Sequence, residues 1–301
     1  MNKYKNLLDK NDLKVNKFTI KGKSTIINTP LGQFVLKKNN NSIYNYLLSR
    51  GFNYLPKIID HDSESVLYEY LEEINYDINE KARDFIKLLS LLHNKTSYYI
   101  DVVLDDYNKT YEDIKNRLVD LDKYYNGLIN EIDMKEYLSP NEYLITRNIS
   151  TILSSINFCF HKLDEWKQLV SIKNKKRVVT NYNNNKLDNM IRTIDNMYLI
   201  SLDNTKVESP ILDLVSFYNI YFNDFDFISL LSYYEKLFPL LEEEKELFII
   251  LISMPDKIII KSDIDNIYSI KNSLNKTFKS LNILNFYKEK ETGAHKDKNN
   301  K

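Results

Sequence analysis

The spacing of apolar residues along the chain changes near residue 79. Before that point the apolar residues form short runs bounded by polar or turn-forming residues, which is typical of β-strands. After it, apolar side chains recur at the i, i+3, i+4, i+7 spacing of a helix with one buried face, beginning with Ala82, Phe85 and Leu89. One short helix is predicted earlier, at residues 42–50. The predicted strands cover residues 14–20, 25–27, 33–37, 57–60 and 66–72.

The helices predicted after residue 79 are mostly long. Residues 109–132 form one amphipathic helix, and a second runs from Pro140 to about residue 170. Ser139 and Glu142 have the spacing of a capping box, and Pro140 suits the first helical position, so the start of the second helix is well defined. Further helices are predicted at 225–238, 241–253 and 264–288.

These patterns predict an α+β fold. Residues 1–73 are expected to form a small antiparallel sheet with one helix, and residues 74–288 a larger, mainly helical part. Residues 289–301 are polar and show no period, and we predict that they are disordered.

Residues 177–218 combine a strand, a polar loop, a hairpin and the start of a helix. Residues 177–181 are short and β-branched, and Asn183 to Asn185 then interrupt the strand. Two short apolar runs flank Asp195-Asn196, an acceptable hairpin turn. Ser209-Pro210 then opens a helix, with Ser predicted as the N-cap and Pro as the first helical residue.

The same stretch keeps the spacing of a known set of motifs. Asn189 follows Tyr182-Asn183-Asn184 with the separation of an H-G-D-x-x-x-x-N motif. Leu199-Ile200-Ser201-Leu202-Asp203 then stands at the place of L-I-D-[WF]-[ED], and Ser209-Pro210-Ile211-Leu212-Asp213-Leu214 at that of a D-P-x-x-D-L-A-type helix start. The segment resembles the aminoglycoside phosphotransferase and choline kinase family, nearest to its spore-coat (CotS-type) branch. The resemblance implies a bilobal protein-kinase-like fold with a hinge near residues 69–73.

Two acidic residues of the family motifs are absent from this chain. The family's base Asp is replaced by Asn184, and its metal-binding Asp by Ser201. An amide does not accept a proton usefully at pH 7, and Mg²⁺ prefers anionic oxygens to a neutral hydroxyl. Asn189 keeps the second metal-ligand position. Asp203 or Asp188 would supply a substitute carboxylate if the register of the loop differed.

The resemblance assigns nucleotide binding to the N-terminal strands. Lys37, which ends the third strand, matches the family's phosphate-binding lysine; without the resemblance it would be interpreted as an exposed lysine at a strand end. Glu69, Tyr70 and Leu71 match the hinge whose backbone receives adenine, and the alternative is an edge strand leading into a loop. The implied cofactors are ATP and Mg²⁺, or none in a protein that has lost catalysis.

Two further features of an active kinase are missing. The helix at 42–50 carries no Glu to pair with the strand lysine, and its inward candidates are Tyr44 and Asn45. The first strand connection contains Gly22 alone, in a chain with only 5 glycines, whereas a loop that cradles phosphates normally needs several.

Composition excludes some classes of partner and compartment. Lys and Arg total 42, as do Asp and Glu, so the net charge gives no reason to expect a nucleic acid partner. No apolar run reaches the length of a membrane span, and the N-terminus is not a signal peptide, so a cytoplasmic location is expected. The single cysteine, Cys159, lies in an apolar helical stretch and is predicted to be a buried thiol.

Two principal hypotheses follow. The favoured one is a catalytically impaired pseudokinase that binds or scaffolds an unknown small molecule or protein. Asp213 supports it, because the family uses this residue to brace the catalytic loop, and its retention beside lost carboxylates is expected of a preserved scaffold. The alternative is an active ATP-dependent phosphotransferase, acting on a hydroxyl group with displaced acidic residues. A structural helical protein with a small β cap is the third possibility.

Overall fold

The structure, a computed structural model, describes residues 4–39, 41–102, 104–260 and 264–298. The chain forms two compact units, Met1–Ser97 with Val179–Glu208, and Tyr98–Val178 with Ser209–Lys301. The first unit therefore groups the N-terminal strands with the segment that carries most of the motif residues. These units do not coincide with the predicted lobe boundary near residue 73.

Short strands dominate the first unit and helices the second. In chain order the elements are α1 (Lys5–Lys10), β1 (Lys17–Lys21), β2 (Ser24–Thr29), β3 (Gly32–Lys38), α2 (Asn41–Ser49), β4 (Ile58–His61), β5 (Ser65–Glu69), α3 (Ile78–Thr96), β6 (Tyr98–Asp101), α4 (Leu104–Asp133), α5 (Pro140–Ser171), β7 (Lys175–Asn181), β8 (Met190–Arg192), β9 (Met197–Leu199), β10 (Lys206–Glu208), α6 (Ile211–Tyr221), α7 (Phe227–Leu237), α8 (Glu242–Ser253) and α9 (Ile264–Lys298).

The first unit is built on a 5-stranded antiparallel sheet in the order β1-β2-β3-β5-β4. Directly opposed residues of an antiparallel pair lie on the same face, and successive residues alternate between faces. Leu36 opposes Leu67, and both are buried in a cluster with Leu7 of α1. Lys37 opposes Val66, so it lies on the other face of the sheet.

The connection between β1 and β2 is a two-residue turn. Lys21 opposes Ser24, which leaves only Gly22 and Lys23 outside the ladder. Gly22 has a φ of +59°, a conformation that favours glycine and suits the first central position of a type II′ hairpin turn. The turn is too short to wrap successive backbone amides around a phosphate, in agreement with the single glycine in the sequence.

The motif segment forms the predicted hairpin. β8 and β9 pair antiparallel, with Arg192 opposite Met197. The Leu199 amide donates to the Tyr54 carbonyl at 2.9 Å, which attaches the hairpin to the rest of the first unit. The short β10 then pairs with the end of β7, where Val207 opposes Thr180.

The second unit has its own helical core. α4, α5, α8 and α9 enclose a continuous apolar cluster that includes Trp166, Ile250 and Ile270. The capping box of Ser139 and Glu142 is present, as predicted. Cys159 is buried in this cluster, as predicted, and burial raises the pKa of its thiol to about 12.

Several details differ from the sequence-based expectations. β6 and β10 were not predicted, since these short strands pair with β7, which is distant in the chain, and have no adjacent hairpin partner, unlike β8 and β9. α6 begins at Ile211 with Pro210 in the N-cap position, one residue later than predicted. Residues 289–298, for which we predicted disorder, continue α9 as helical backbone. Residues 299–301 lie outside the described residues.

Among the described helices, none has both the length and the apolar character that a membrane span requires.

Candidate functional site

Lys37 and Ser201 are in direct contact, although they lie 164 positions apart in the chain. β3 carries the lysine on the face opposite the apolar cluster, and the connection after β9 carries the serine. The Lys37 ammonium donates to the Ser201 hydroxyl, with 3.2 Å between Nζ and Oγ. Among the described residues this is the one hydrogen bond of the Lys37 side chain, and no carboxylate forms an ion pair with the ammonium group.

Ser201 has an unusual backbone conformation. Its φ of 64° and ψ of 61° lie in the left-handed region, which a non-glycine residue occupies at a cost. The conformation turns the chain sharply after Ile200, so that the Ser201 hydroxyl meets Lys37 while its carbonyl faces the loop after β7. Asn183 in that loop is also left-handed, with a φ of 54°.

Asn184 and Asn189 extend the Lys37–Ser201 contact into a chain of hydrogen bonds. The Asn184 side-chain amide donates to the Ser201 carbonyl at 2.7 Å. The Asn189 side-chain amide in turn donates to the Asn184 carbonyl at 3.0 Å. The structure thus brings together Lys37, Asn184, Asn189 and Ser201, the residues that the resemblance placed in one site.

Tyr182 anchors the loops that carry these residues, a role that the sequence analysis did not assign. The residue is fully buried, and its hydroxyl lies in hydrogen-bond distance of the Asn189 carbonyl, at 3.0 Å, and of the Ile200 carbonyl. Its ring packs against Phe85 of α3, with 6.1 Å between the ring centroids. The available signal was positional: Tyr182 stands where the family motif has His.

The electrostatic environment of Lys37 combines burial with one carboxylate. Burial lowers the pKa of the Lys37 ammonium, and the negative charge of Asp203 opposes that shift. Burial also raises the pKa of Tyr68 to about 12, with contributions from Tyr44 and Asp203. Asp203 is itself exposed, so it supplies charge to this site from the solvent side.

Helix α2 offers no acid to Lys37. Tyr44, one of the predicted inward residues, is buried and donates to the Pro56 carbonyl at 2.7 Å. Its ring centroid lies 6.2 Å from that of Tyr68. Asn45, the other candidate, is exposed. The helix therefore contributes aromatic packing beside the lysine, where the resemblance leads us to expect a carboxylate.

The three predicted hinge residues differ: Glu69 ends β5 and is hydrogen-bonded within the protein, whereas Tyr70 and Leu71 follow the strand. Glu69 makes two hydrogen bonds to the backbone of Lys57. Its backbone amide donates to the Lys57 carbonyl at 3.0 Å, and its carboxylate accepts from the Lys57 amide at 2.8 Å. Tyr70 and Leu71 lie beyond the strand, and no other described residue makes a backbone hydrogen bond to them. Tyr70 is 41% exposed and Leu71 is half-buried.

The donor set around Ser201 does not fit Mg²⁺. Asp203 is the carboxylate near Lys37, and no group of three acidic, His or Cys residues suited to a metal ion occurs among the described residues. The Ser201 hydroxyl already accepts from an ammonium group, and a divalent cation on the same oxygen would be repelled by that charge. Mg²⁺ prefers anionic oxygens, and the position of the family's metal-binding Asp offers only the neutral hydroxyl of Ser201, with Asp203 as the carboxylate nearby.

The other predicted acidic residues lie elsewhere. Asp188 is exposed in the turn before β8, and among the described residues no hydrogen bond or ion pair joins its side chain to Lys37 or Ser201. Asp213 is fully buried in the first turn of α6, which belongs to the second compact unit. Its predicted role in bracing the loop remains a prediction.

Comparison with known proteins identifies the fold through structure rather than sequence. No family model and no curated protein sequence matches the chain. The structure is similar to that of an aminoglycoside phosphotransferase from Alicyclobacillus acidocaldarius, with a TM-score of 0.69 over 92% of this chain and 93% of that one, at 10% sequence identity. The chain has a protein-kinase-like fold.

Other structural neighbours carry related names. They include the choline kinase LicA from Streptococcus pneumoniae, with a TM-score of 0.49, 16% identity and coverage of 94% and 98% of the two chains. A spectinomycin phosphotransferase solved as an AMP-bound complex has the same TM-score, 11% identity and coverage of 95% and 94%. At these scores and identities the comparisons support the fold assignment only through the first structure, and they assign no activity to this chain.

Proposed function

We propose that the protein is a kinase-like binding protein in which phosphoryl transfer is impaired. The observation that carries the proposal is the hydrogen bond from the Asn184 amide to the Ser201 carbonyl at 2.7 Å. At the position of the catalytic base, the side chain is engaged as a donor within the protein, and its neutral amide cannot take a proton from a hydroxyl substrate at pH 7. Phosphoryl transfer depends on positioned charge and metal ions, and two acidic residues that the family motifs use for these tasks are replaced here by Asn184 and Ser201.

Lys37 is the residue through which such a protein would still hold a nucleotide. Its ammonium is partly desolvated and makes its hydrogen bond to a neutral hydroxyl, so an anionic phosphate would stabilise its charged form. The backbone of Tyr70 and Leu71, which makes no backbone hydrogen bond to another described residue, would provide hydrogen-bonding groups for a base. Because the donor set does not suit Mg²⁺, we propose that nucleotide binding here is weak and independent of a divalent metal.

A second candidate function is an active phosphotransferase that uses Asp203. The observation in its favour is that the Asp203 charge reaches Lys37 and Tyr68 strongly enough to affect the pKa of both side chains. In this alternative Asp203 replaces the carboxylate missing at Ser201. It still lacks a base, since the amide of Asn184 does not serve as one.

A turnover assay separates the two functions. The protein is incubated with ATP labelled at the γ-phosphate and either Mg²⁺ or Mn²⁺, with an aminoglycoside, choline or water as the acceptor. We expect ADP formation no faster than with a Lys37→Met variant, in which the aliphatic part of the side chain is kept and the charge is removed. Metal-dependent turnover that falls with Asp203→Asn would establish the active phosphotransferase instead.

The binding role is tested by thermal stability. A ligand that binds the folded state raises the melting temperature in proportion to RT ln(1 + [L]/Kd). We expect a small shift with millimolar ATP that is equal in EDTA and in Mg²⁺ and is absent in Lys37→Met. A shift that requires Mg²⁺ would contradict the proposal. The resemblance to the spore-coat branch leads us to propose a coat or envelope component, small molecule or protein, as the bound partner.

A further inference from the structure

The outer edge of the five-stranded sheet is exposed along its whole length. β1 stands at the end of the strand order and pairs with β2 on one side; no other described strand pairs with it. All five residues of Lys17–Lys21 are exposed, including Phe18 at 48% and Ile20 at 73%. Such an edge is a template for another strand.

The charge around this edge is one-sided, although the whole chain is neutral. Residues 14–29 contain four lysines and no Asp or Glu, whereas Lys plus Arg and Asp plus Glu both total 42 over the chain. The lysines are Lys14, Lys17, Lys21 and Lys23, and all four are exposed. None of their side chains makes a hydrogen bond or ion pair with another described residue. The local field therefore favours an acidic ligand.

The two faces of β1 differ in chemistry. Side chains alternate along a strand, so Phe18 and Ile20 share one face while Lys17, Thr19 and Lys21 share the other. A strand added to this edge would place apolar side chains beside Phe18 and Ile20 and acidic side chains beside the lysines. Cross-strand pairs of this kind are the stabilising contacts of a sheet.

We propose that β1 binds an extended acidic segment of a partner protein as a sixth strand of the sheet, with alternating acidic and apolar residues. A second copy of this chain does not meet the requirement. Antiparallel pairing of two β1 strands centred on Thr19 puts Lys17 opposite Lys21 at both ends, and parallel pairing in register puts each lysine opposite itself. Like charges directly opposite each other destabilise a sheet. A nucleic acid would satisfy the lysines but leave Phe18 and Ile20 exposed.

The probe is a fluorescein-labelled heptapeptide, Ser-Glu-Val-Thr-Val-Glu-Ser, blocked at both ends. Its sequence reads the same in both directions, so the test assumes no strand polarity. Binding is followed by fluorescence polarisation, and backbone amide exchange of residues 17–21 is measured with and without the peptide. We expect saturable binding with slower exchange at alternate residues of β1.

Reversing the charge of two lysines tests whether they recognise the acidic residues of the peptide. Lys17→Glu with Lys21→Glu changes two exposed side chains and should weaken binding of the peptide by about tenfold or more. The same variant should instead bind the peptide in which both Glu are replaced by Lys. The control, Lys14→Glu with Lys23→Glu, changes the net charge equally outside the strand and should weaken binding less. Equal losses in the two double variants would overturn the proposed register.

Methylated peptides distinguish strand pairing from charge attraction. Alternate residues of a strand direct their amides to the same edge, so one peptide carries N-methyl groups on both Val and another on Glu, Thr and Glu. One of the two should bind like the parent and the other should not bind. Equal binding of both, or displacement of the peptide by polyuridylate at similar charge concentration, would overturn the proposal in favour of a general polyanion site. None of these variants alters Lys37 or Ser201, so the outcome is independent of the proposed nucleotide site.

Discussion

The side-chain amide of Asn184 donates a hydrogen bond to the backbone carbonyl of Ser201, with 2.7 Å between Nδ2 and O. The two residues lie 17 positions apart, in the loops that follow β7 and β9. In the resembling family these are the positions of the base and of a metal-binding carboxylate. Here the residues at these two positions are hydrogen-bonded to each other. The contact stabilises the two loops and presents no reactive group.

Replacing Asn184 by Asp should destabilise the protein at pH 7. The carboxylate would place an acceptor against the Ser201 carbonyl and leave that carbonyl without its donor, at a cost of about 1–3 kcal/mol. The repulsion favours the protonated acid, so the folded-state pKa of the new carboxyl should exceed its unfolded value. The penalty should therefore shrink as the pH falls through that raised pKa. Urea denaturation at pH 7 and pH 4 measures both effects.

The matched control for this change is Asn196→Asp. Asn196 is exposed in the β8–β9 turn, and its Oδ1 accepts from the Met197 amide at 2.9 Å. A carboxylate keeps that acceptor, so the free energy of unfolding should change little. Equal effects of the two substitutions would mean that the contact between Asn184 and Ser201 contributes nothing specific.

Ser201→Gly and Ser201→Ala should have different effects on stability. Both remove the hydroxyl that accepts from Lys37, but only glycine relieves the left-handed backbone at φ 64°. We expect the glycine variant to be more stable than the alanine variant by about 1 kcal/mol. Chemical denaturation of the two variants, which share the loss of the hydroxyl, isolates the backbone contribution. An alanine variant as stable as the glycine variant would contradict the left-handed assignment.

The sequence predicts much of this arrangement because its local signals agree with its tertiary contacts. The short runs that include Leu36 and Leu67 alternate as strands, and the structure pairs them. The motif spacing between Asn184, Asn189 and Ser201 anticipated that their loops meet. In contrast, β6 and β10 depend on partners far along the chain, such as Val178 opposite Tyr98, and short segments carry no period that reveals such pairing.

Side-chain direction was the harder part to predict. The sequence shows that Asn184 replaces an acid, but not that its amide is used as a donor. It shows Ser201 in a metal position, but neither its left-handed backbone nor its contact with Lys37. Those features depend on the sharp turn after Ile200 and on the anchor that Tyr182 provides. Roles in binding or catalysis therefore remain predictions for the experiments.

Glu142 should make the stability of the protein depend on acid pH. The Lys135 ammonium, followed by the Ser139 amide, lowers the pKa of the Glu142 carboxyl from 4.5 to about 2. A depressed folded-state pKa stabilises the protein above the unfolded value and ceases to do so as the pH falls through the folded one. Glu142→Gln should lower the free energy of unfolding at pH 7, and its difference from wild type should disappear between pH 4.5 and about 2.

Denaturation of wild type and Glu142→Gln at several pH values tests this expectation. Glu136→Gln is the control, because Glu136 is an exposed carboxylate of the same connection between α4 and α5. It should leave the pH dependence unchanged. A constant difference between wild type and Glu142→Gln down to pH 2 would show that the capping geometry matters and the charge does not.

Restoring both acids, by Asn184→Asp with Ser201→Asp, should not restore phosphoryl transfer. The new carboxylates would offer a base and a metal ligand, but helix α2 would still lack an acid for Lys37, and the β1–β2 turn would still be two residues long. The γ-phosphate would remain unpositioned, and a misplacement of about 1 Å can cost about 100-fold in rate. The Ser201 carbonyl and the two carboxylates would also bring like charges and acceptors together, so the melting temperature should fall.

Release of labelled phosphate from ATP and the melting temperature, each with and without Mg²⁺, test the double variant. We expect no turnover above the Lys37→Met background and a fall in melting temperature that Mg²⁺ reverses at most in part. Adding Lys37→Met to the double variant supplies the control, because it removes the ammonium group proposed to bind phosphate and leaves both acids. Turnover in the double variant that this third substitution abolishes would contradict the expectation. It would show that the missing acids alone prevent catalysis, because the sheet, Lys37 and the loops would then suffice to position ATP.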